Sequence, residues 1–475
     1  MAAEHHDVIV LGAGMAGLRC AHELVHAKGV RDVLVVDAMD RVGGRILSDS
    51  EFIPGMTIEV GAEFAHGANT SLTKLAAEQH WALREIFTWA QADGGPTDPA
   101  PDGGIGYYYL GDQKRMLAYD DPDEEFQHFN ECVSKLSETE DVDAIPPTKS
   151  MRDYFEGDCE LSPSMMQLAD AGYGNTAGGP IGDISMRITC RYEKQWIELE
   201  DEGDFRVVPT FKRIIDHFHN GVTTKLGWPV ASIDHSDPER IVLTSKSGET
   251  LSCRKLVVTV AIAVFNDIEY TPSLPENKLD AVASYGMLRA GKVLLHMTDA
   301  FWPANTHGVI CTGCFLPEFW VNSTRGVGFM VENGDELIAS ASSTSDGEVQ
   351  YLVTGFAGPE TAEKLTAIEE KEIIARFLAQ LDTIYGTSDH PTPASDCFVK
   401  GMYLDWGDIE YVRGGYSYPR VGQRDDAARD LAAPVEDRIF FAGEATAFEQ
   451  PSMSVHAAMD TGLRAAGQVA RALLM

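Results

Sequence analysis

The chain has 475 residues, 44% of them hydrophobic, enough for two or three domains or for one cofactor domain with a second inserted in it. Its 73 acidic against 38 basic residues leave a net charge of −35, which argues against nucleic acid as a direct partner and would draw in a cationic small molecule, with solubility as the alternative reading. No stretch reaches the ~20 apolar residues of a membrane span. With no signal-peptide pattern ahead of the first strand and no SKL-type C-terminus, the expected location is the cytoplasm.

In chain order, "DVIVLG" (7–12) is a short apolar run ending in glycine and predicts a buried parallel strand. Leu18, Ala21, Leu24 and Val25 recur at helical spacing, which predicts a helix from Met15 to Lys28 stopped by Gly29. "DVLVVD" (32–37) is a second buried strand, completing a βαβ unit. Between the first strand and the helix, Gly12, Gly14 and Gly17 form G-x-G-x-x-G. The first glycine permits the tight turn, the second lets backbone approach a pyrophosphate, and the third lets helix pack on strand. The helix N-terminus then offers N–H groups to the phosphates. Asp37 closes the second strand where a carboxylate accepts from ribose hydroxyls, and an acid there argues against a 2′-phosphate. An adenine dinucleotide is therefore expected. The glycine fingerprint does not choose between FAD and NAD, but Gly43, Gly44 and Arg45 follow closely and can bring a second backbone loop and a guanidinium to the same phosphates.

Residues 71–86 are predicted helical, and the Asp-, Gly- and Pro-rich stretch 92–104 is expected to be a loop or a domain seam. Acidic helical or irregular sequence continues to about residue 205. Residues 230–261 alternate as a β-meander with turns at "SDPE" and "KSGE". Residues 358–386 predict one long amphipathic helix, capped by Thr361 and ended by Gly386. The final segment reads as a strand, a loop and a closing helix. Of the eight cysteines, Cys311 and Cys314 form C-x-x-C with no second pair beside it, so zinc is not expected. They read as structural cysteines on a buried strand, with a redox pair as the alternative.

From Asp37 to Arg45 the chain resembles the flavin-containing amine oxidases, in which a D/E-A-x-x-R-x-G-G-R run follows the fingerprint. The resemblance continues in order through "IEVGAEFAHG" (58–67), "WPVASIDHSD" (228–237), the "PSLP…GK…FWP" block (272–303), "RGGYSYPRVG" (413–422), "RIFFAGEAT" (438–446) and "SVHAAMDTGLRAA" (454–466). The "RGGYSY" block is similar to the "RGSYSY" of polyamine oxidases, spermine oxidases and lysine-specific histone demethylases. The resemblance implies an α/β fold: a Rossmann-like FAD-binding domain of the glutathione-reductase type (1–82, 203–286, 405–475) interleaved with an α+β substrate domain (83–202, 287–404). It places Gly12, Gly14, Gly17, Asp37, Gly44 and Arg45 on FAD, and Gly61, Ala62, Glu63 and Phe64 in the loop that passes the flavin ring. Val230 would contact the adenine end, Glu444 the ribityl or phosphate part, and Ser454 and Val455 the ring. Lys292 would hold a water against flavin N5, Tyr416 would form one wall of the amine cage, and His66 would line the cavity.

Four departures from the family pattern bear on this. Gly415 stands where monoamine oxidases carry the cysteine that bonds FAD, so the flavin is expected to be non-covalent. Ser454 stands where they carry a second cage tyrosine, which opens the cage to longer amines. "VVPTFKR" (207–213) lacks the usual glycine pair and "TVAIAVF" (259–265) the usual proline. Ala457 replaces a common glycine. The implied reaction is hydride transfer from the carbon beside an amine nitrogen to the flavin, reoxidation by O2 to peroxide, and hydrolysis of the imine. A polyamine is the expected substrate, with a monoamine or an L-amino acid as alternatives on the same fold. A histone demethylase is disfavoured because the extra N-terminal module and coiled-coil insertion are missing. Outside the oxidases, the alternatives are a redox-inactive FAD-binding structural or sensor protein and an NAD-dependent dehydrogenase.

Overall fold

The computed structural model describes residues 4–89, 104–199, 203–303, 306–324, 332–333, 336–337 and 349–474. Two eight-stranded sheets organise them. In the first, the strand order is Thr223–Lys225, Val33–Val36, Glu4–Leu11, Thr250–Val258, Ile241–Ser245, Val230–Asp234, Glu269–Thr271, and Ile439–Phe441 also pairs with Thr250–Val258. Glu4–Leu11 runs parallel to both its neighbours, whereas the meander of residues 230–258 is antiparallel.

Alternation explains why this sheet is covered on both faces. Val8, Val10, Val33, Val35, Val257 and Phe440 point into one core with Leu18, Ala21, Ala465 and Val469. Ile9, Leu11, Leu34, Val36, Leu256, Ile439 and Phe441 point into the opposite core with Ala281, Val282 and Leu431. Continuous apolar strands are what such two-sided burial requires. The helix Met15–His22, extended by a π turn over Glu23–Ala27, crosses the C-terminal helix Val455–Leu473 at small residues. A Cβ on Gly462 would lie 2.3 Å from Ala16 O.

The second sheet has the order Phe398–Asp405, Gly291–Met297, Tyr351–Ala357, Glu318–Ser323, Thr306–Thr312, Gly104–Leu110, Phe87–Trp89, and Arg115–Leu117 also pairs with Gly104–Leu110. Val293, Leu295, Val309, Cys311, Phe319 and Val353 face a core closed by Phe377 and Leu381 of the helix Glu370–Tyr385. Residues in register with one another share the other face. Lys292 is paired with Phe356 and Phe356 with Glu318, so these three side chains form one row toward the first sheet.

Three predicted stretches differ: the span up to about residue 205, expected to be helical or irregular, opens with the paired strands Gly104–Leu110 and Arg115–Leu117. The helix expected over 71–86 stops at Glu78, and Leu83–Glu85 is a strand paired with Asp204–Val207. His80 sits at φ 53°, which breaks the helical run and sends the chain back to the sheet. The long helix expected over 358–386 is two, Pro359–Leu365 and Glu370–Tyr385. Gly358 occupies the N-cap position with Pro359 in the first turn, so Thr361 lies inside the helix and does not cap it. Glu369 is extended and starts the second helix, and Gly386 ends it at φ −65°, without a left-handed cap. The stretch 92–104 lies outside the described residues except Gly104, which begins a strand. The βαβ unit, the meander, and the closing strand and helix follow the sequence reading.

Candidate active site

A cleft opens at the carboxyl ends of the parallel strands. At one end it is lined by Asp37, Val230, Lys246 and Val260, in its middle by Gly12, Gly14, Gly44 and Arg45, and at the other end by Ala62, Gly415, Tyr416, Ser454 and Val455. The glycine turn is as tight as its spacing requires. Gly12 has φ +110°, and a Cβ there would lie 2.4 Å from Thr259 Oγ1. A Cβ on Gly17 would lie 1.9 Å from Gly12 O, so Gly17 does not line the cleft but seats the helix on the turn. Gly44 at φ +57° brings the second glycine loop onto Gly14, with its would-be Cβ 3.2 Å from Gly14 Cα. The first turn of the helix Met15–His22 has no side-chain cap, which leaves its N–H groups for an anion.

Asp37 accepts from Ala13 N–H at 2.6 Å and Met39 N–H at 2.8 Å. Burial raises its carboxyl, against the pull of those two bonds and of Arg41. Arg45 Nη1 donates to Gly415 O at 2.8 Å and Glu444 Oε1 at 3.0 Å. Glu444 is buried, and also accepts from Ser417 N–H, Ser417 O–H at 2.6 Å and Met453 N–H. It locks the "RGGYSY" strand to the C-terminal loop. Ser454 caps the helix Val455–Leu473 by accepting from Ala457 N–H at 3.1 Å. No cysteine is among the described residues that line the cleft.

Beside the end of the cleft lined by Ala62 lies a buried ionic knot. Lys292 Nζ donates to Glu59 O at 3.1 Å, Gly61 O at 2.8 Å and Glu63 Oε2 at 3.0 Å, so all three N–H donors of its ammonium are engaged by protein. Glu63 Oε2 also accepts from Trp320 Nε1 at 3.1 Å, and Oε1 accepts from Arg206 Nε at 3.1 Å and Nη2 at 2.8 Å. Burial pushes the Glu63 carboxyl up, but Lys292 and Arg206 together outweigh it and hold it below its ordinary value. Two cations around one carboxylate leave a net charge of one unit positive beside the cleft.

Beyond the knot is a mixed aromatic and acidic wall. Phe64 meets Trp320 edge-on at 5.2 Å and His66 at 6.4 Å between ring centroids. Trp320 meets Phe356 at 6.0 Å. Tyr416 O–H donates to Thr176 O at 2.6 Å, and its ring packs on Gly178, where a Cβ would lie 2.7 Å from Cε2. The adjacent Asn175 Nδ2 donates to Glu318 Oε2 at 3.0 Å. Glu318 therefore sits beside Tyr416, in the row with Lys292 and Phe356. Burial raises its carboxyl to about 7, Asn175 and His66 pull it down, and Asp204 pushes it up. His66 Nδ1 donates to Asp204 Oδ1 at 2.5 Å, and its side chain is 46% exposed. Its surroundings oppose the charge, yet Asp204 and Glu318 prevail and raise it. Behind it, burial and His66 lower His456 to about 3.

The structure thus gathers Gly12, Gly14, Asp37, Gly44, Arg45, Ala62, Val230, Glu444, Ser454, Val455 and Tyr416 around one cleft. Lys292, Gly61, Glu63, Phe64 and His66 stand in the adjoining wall. Sequence reasoning missed Arg206, Trp320, Asp204 and Glu318. Alternation in "EFWVNS" puts Glu318 and Trp320 on one face, but nothing local says which face is the site.

This architecture is that of a dinucleotide-binding protein with a second sheet laid across its cleft. It overlays a cyclohexylamine oxidase from Brevibacterium oxydans with a TM-score of 0.78 at 20% identity, covering 99% of this chain and 100% of that one. A putrescine oxidase bound to putrescine overlays with a TM-score of 0.76 at 19% identity, covering 98% and 99%. Residues 15–470 match the flavin containing amine oxidoreductase family, and the chain belongs to it. FAD is its cofactor. The residues fit that group: the close glycine backbones of Gly12, Gly14 and Gly44 and the guanidinium of Arg45 would hold its phosphates, and the Asp37 carboxylate would meet its ribose. Among curated proteins the chain is 26% identical to human lysine-specific histone demethylase 2 over 98% of its own length, but it spans only 54% of that protein. It is 25% identical to polyamine oxidase 3 of Oryza sativa subsp. japonica, over 97% of this chain and 88% of that one.

Proposed function

We propose that the chain oxidises a C–N bond of a polyamine and uses molecular oxygen as electron acceptor. The observation that carries this reading is Glu318: a carboxylate in register with Phe356 and Lys292 and beside Tyr416, which itself lines the cleft. FAD, when bound, supplies a two-electron acceptor for the carbon next to the reacting nitrogen and passes the electrons to oxygen. The protein has to deliver that nitrogen neutral and hold the rest of the substrate. Tyr416, Phe64, Trp320 and Phe356 give the reacting end an aromatic, weakly polar surrounding, which disfavours ammonium there. A second nitrogen further along stays cationic and pairs with Glu318. Because that carboxyl sits at about 7, ionising it at neutral pH costs under about 1 kcal/mol, so most of the attraction is kept for binding. Asp204 is taken up by His66, whose affinity for a proton it raises, whereas Glu318 is held by the neutral amide of Asn175. The similarity to a polyamine oxidase over most of both chains supports the same reading.

The test is a peroxide-release and flavin-bleaching panel: spermine, spermidine, 1,4-diaminobutane, acetylated forms, monoamines, L-amino acids and a methyl-lysine peptide. Spermine, spermidine or 1,4-diaminobutane should exceed chain-matched monoamines in kcat/KM by about 10-fold or more. Equal values for mono- and polyamines, or turnover of amino acids or the peptide alone, would overturn it.

A further inference from the structure

The second sheet carries a thiol pair that the oxidase reading does not use. Cys311 lies near the end of the strand Thr306–Thr312 and is buried, and Cys314 lies in the turn that follows and is partly exposed. Both are free thiols. The turn is tight: Gly313 has φ +63°, and Cys311 N–H donates to Pro317 O at 2.6 Å. The Cys311 thiol donates to Val309 O at 3.8 Å, and Cys314 packs against the same core that holds Cys311, so the two side chains lie close enough to influence one another. The neighbouring Cys311 lowers Cys314, while burial pushes Cys311 well up. Cys314 is also close to backbone, its Sγ 3.3 Å from where a Cβ on Gly111 would stand. An accessible sulfur biased toward thiolate, with a protonated resolving thiol two residues away, is the arrangement that reacts with peroxides and then closes. The turn ends on Glu318, whose partner across the strands is Ile310, next to Cys311.

We propose that Cys311 and Cys314 form a hydroperoxide-responsive dithiol built into the turn that carries Glu318. The Cys314 thiolate attacks one oxygen of the hydroperoxide, the O–O bond breaks, and the other oxygen leaves as water or an alcohol after protonation. Cys314 becomes a sulfenic acid. The Cys311 sulfur then attacks it, a disulfide forms, and the hydroxyl leaves as water with the Cys311 proton. Two electrons leave the two sulfurs and reduce the hydroperoxide. This chemistry is independent of amine oxidation. Its consequence for Glu318 rests on the functional reading above: closing the pair draws the turn in and shifts the carboxylate.

The test uses the full-length holoprotein, reduced, desalted and exposed to a small excess of hydrogen peroxide, followed by differential alkylation and peptide mass mapping. The expected product is an intramolecular Cys311–Cys314 disulfide, two hydrogens lighter. It should form at least about 10-fold faster than any oxidation of Cys397, the other partly exposed cysteine. Cys314→Ser should abolish it, leaving Cys311 alkylatable after denaturation. Unchanged alkylation of both, or over-oxidation of Cys314 without a cross-link, overturns the proposal. In a second arm, oxidation should raise KM for 1,4-diaminobutane by about 3-fold or more in the wild type and leave it unchanged in Cys314→Ser. A disulfide with unaltered KM refutes the coupling to Glu318. If no amine is a substrate, the mapping result still stands alone.

Discussion

Replacing Glu63 by Gln removes the carboxylate that Lys292 and Arg206 share in the knot. The side chain is 4% exposed and receives four donors: Lys292 Nζ, Trp320 Nε1, and Nε and Nη2 of Arg206. Gln keeps one carbonyl oxygen as acceptor but aims an NH2 group at two of the donors. Two cations, 7% and 11% exposed, would then lack their counter-charge. Breaking a buried pair in this way typically costs about 3–5 kcal/mol, a large share of a domain's ~5–15 kcal/mol. Urea unfolding of the holoprotein, followed by tryptophan and flavin fluorescence, should show the midpoint falling by roughly 1 M. The triple change Glu63→Leu, Lys292→Met, Arg206→Met should recover much of the loss, since apolar replacement of a whole buried ion group is often neutral or better. The pH dependence has a definite sign. The carboxyl is held below its unfolded value, so its contribution is present above about pH 4.5 and is lost as pH falls through the lower folded value. Glu63→Gln should lack that acid-limb component. If Glu63→Gln unfolds at the wild-type urea concentration, the knot does not carry the charge balance assigned to it.

Glu318→Gln should raise KM for 1,4-diaminobutane by about 10- to 100-fold while chain-matched monoamines change by less than about 2-fold, from the loss of one charge-assisted bond. With Asp204, His66 and Asn175 around it, the wild-type carboxyl ionises near 7, so diamine KM relative to that of the variant should fall from about pH 6 to about pH 8. Lys278 Nζ donates to the carbonyls of Asp430, Leu431 and Ala433 at 2.7, 2.7 and 2.8 Å and lies 3.9 Å over the Phe441 ring. Burial lowers it to about 7, with Asp430 opposing and Arg464 assisting. A lysine lowered in the folded state adds stability as pH rises from about 7 toward its unfolded value, so wild type should gain on Lys278→Met between about pH 7 and about pH 9 in thermal melts. Acid precipitation should leave the flavin in the supernatant, because Gly415 offers no sulfur; flavin pelleting with the chain would refute this.

Local order carried the cofactor half of the molecule into the sequence. Gly12, Gly14, Gly17, Asp37 and Gly44 are consecutive turns of one βαβ unit and the loop after it, so short-range sterics dictate both residue and spacing. The meander and the closing helix were legible for the same reason: strand alternation and helical periodicity act within a few residues. Where local signals were weak, in Leu83–Glu85, pairing with a distant strand decided the element. The substrate wall was decided wholly by tertiary structure. Lys292, Phe356 and Glu318 come from three strands whose register alone places them in one row, and Glu63 meets Arg206 across 143 positions of chain. Cross-strand register and the docking of one sheet over the other are long-range facts, which no window of sequence encodes.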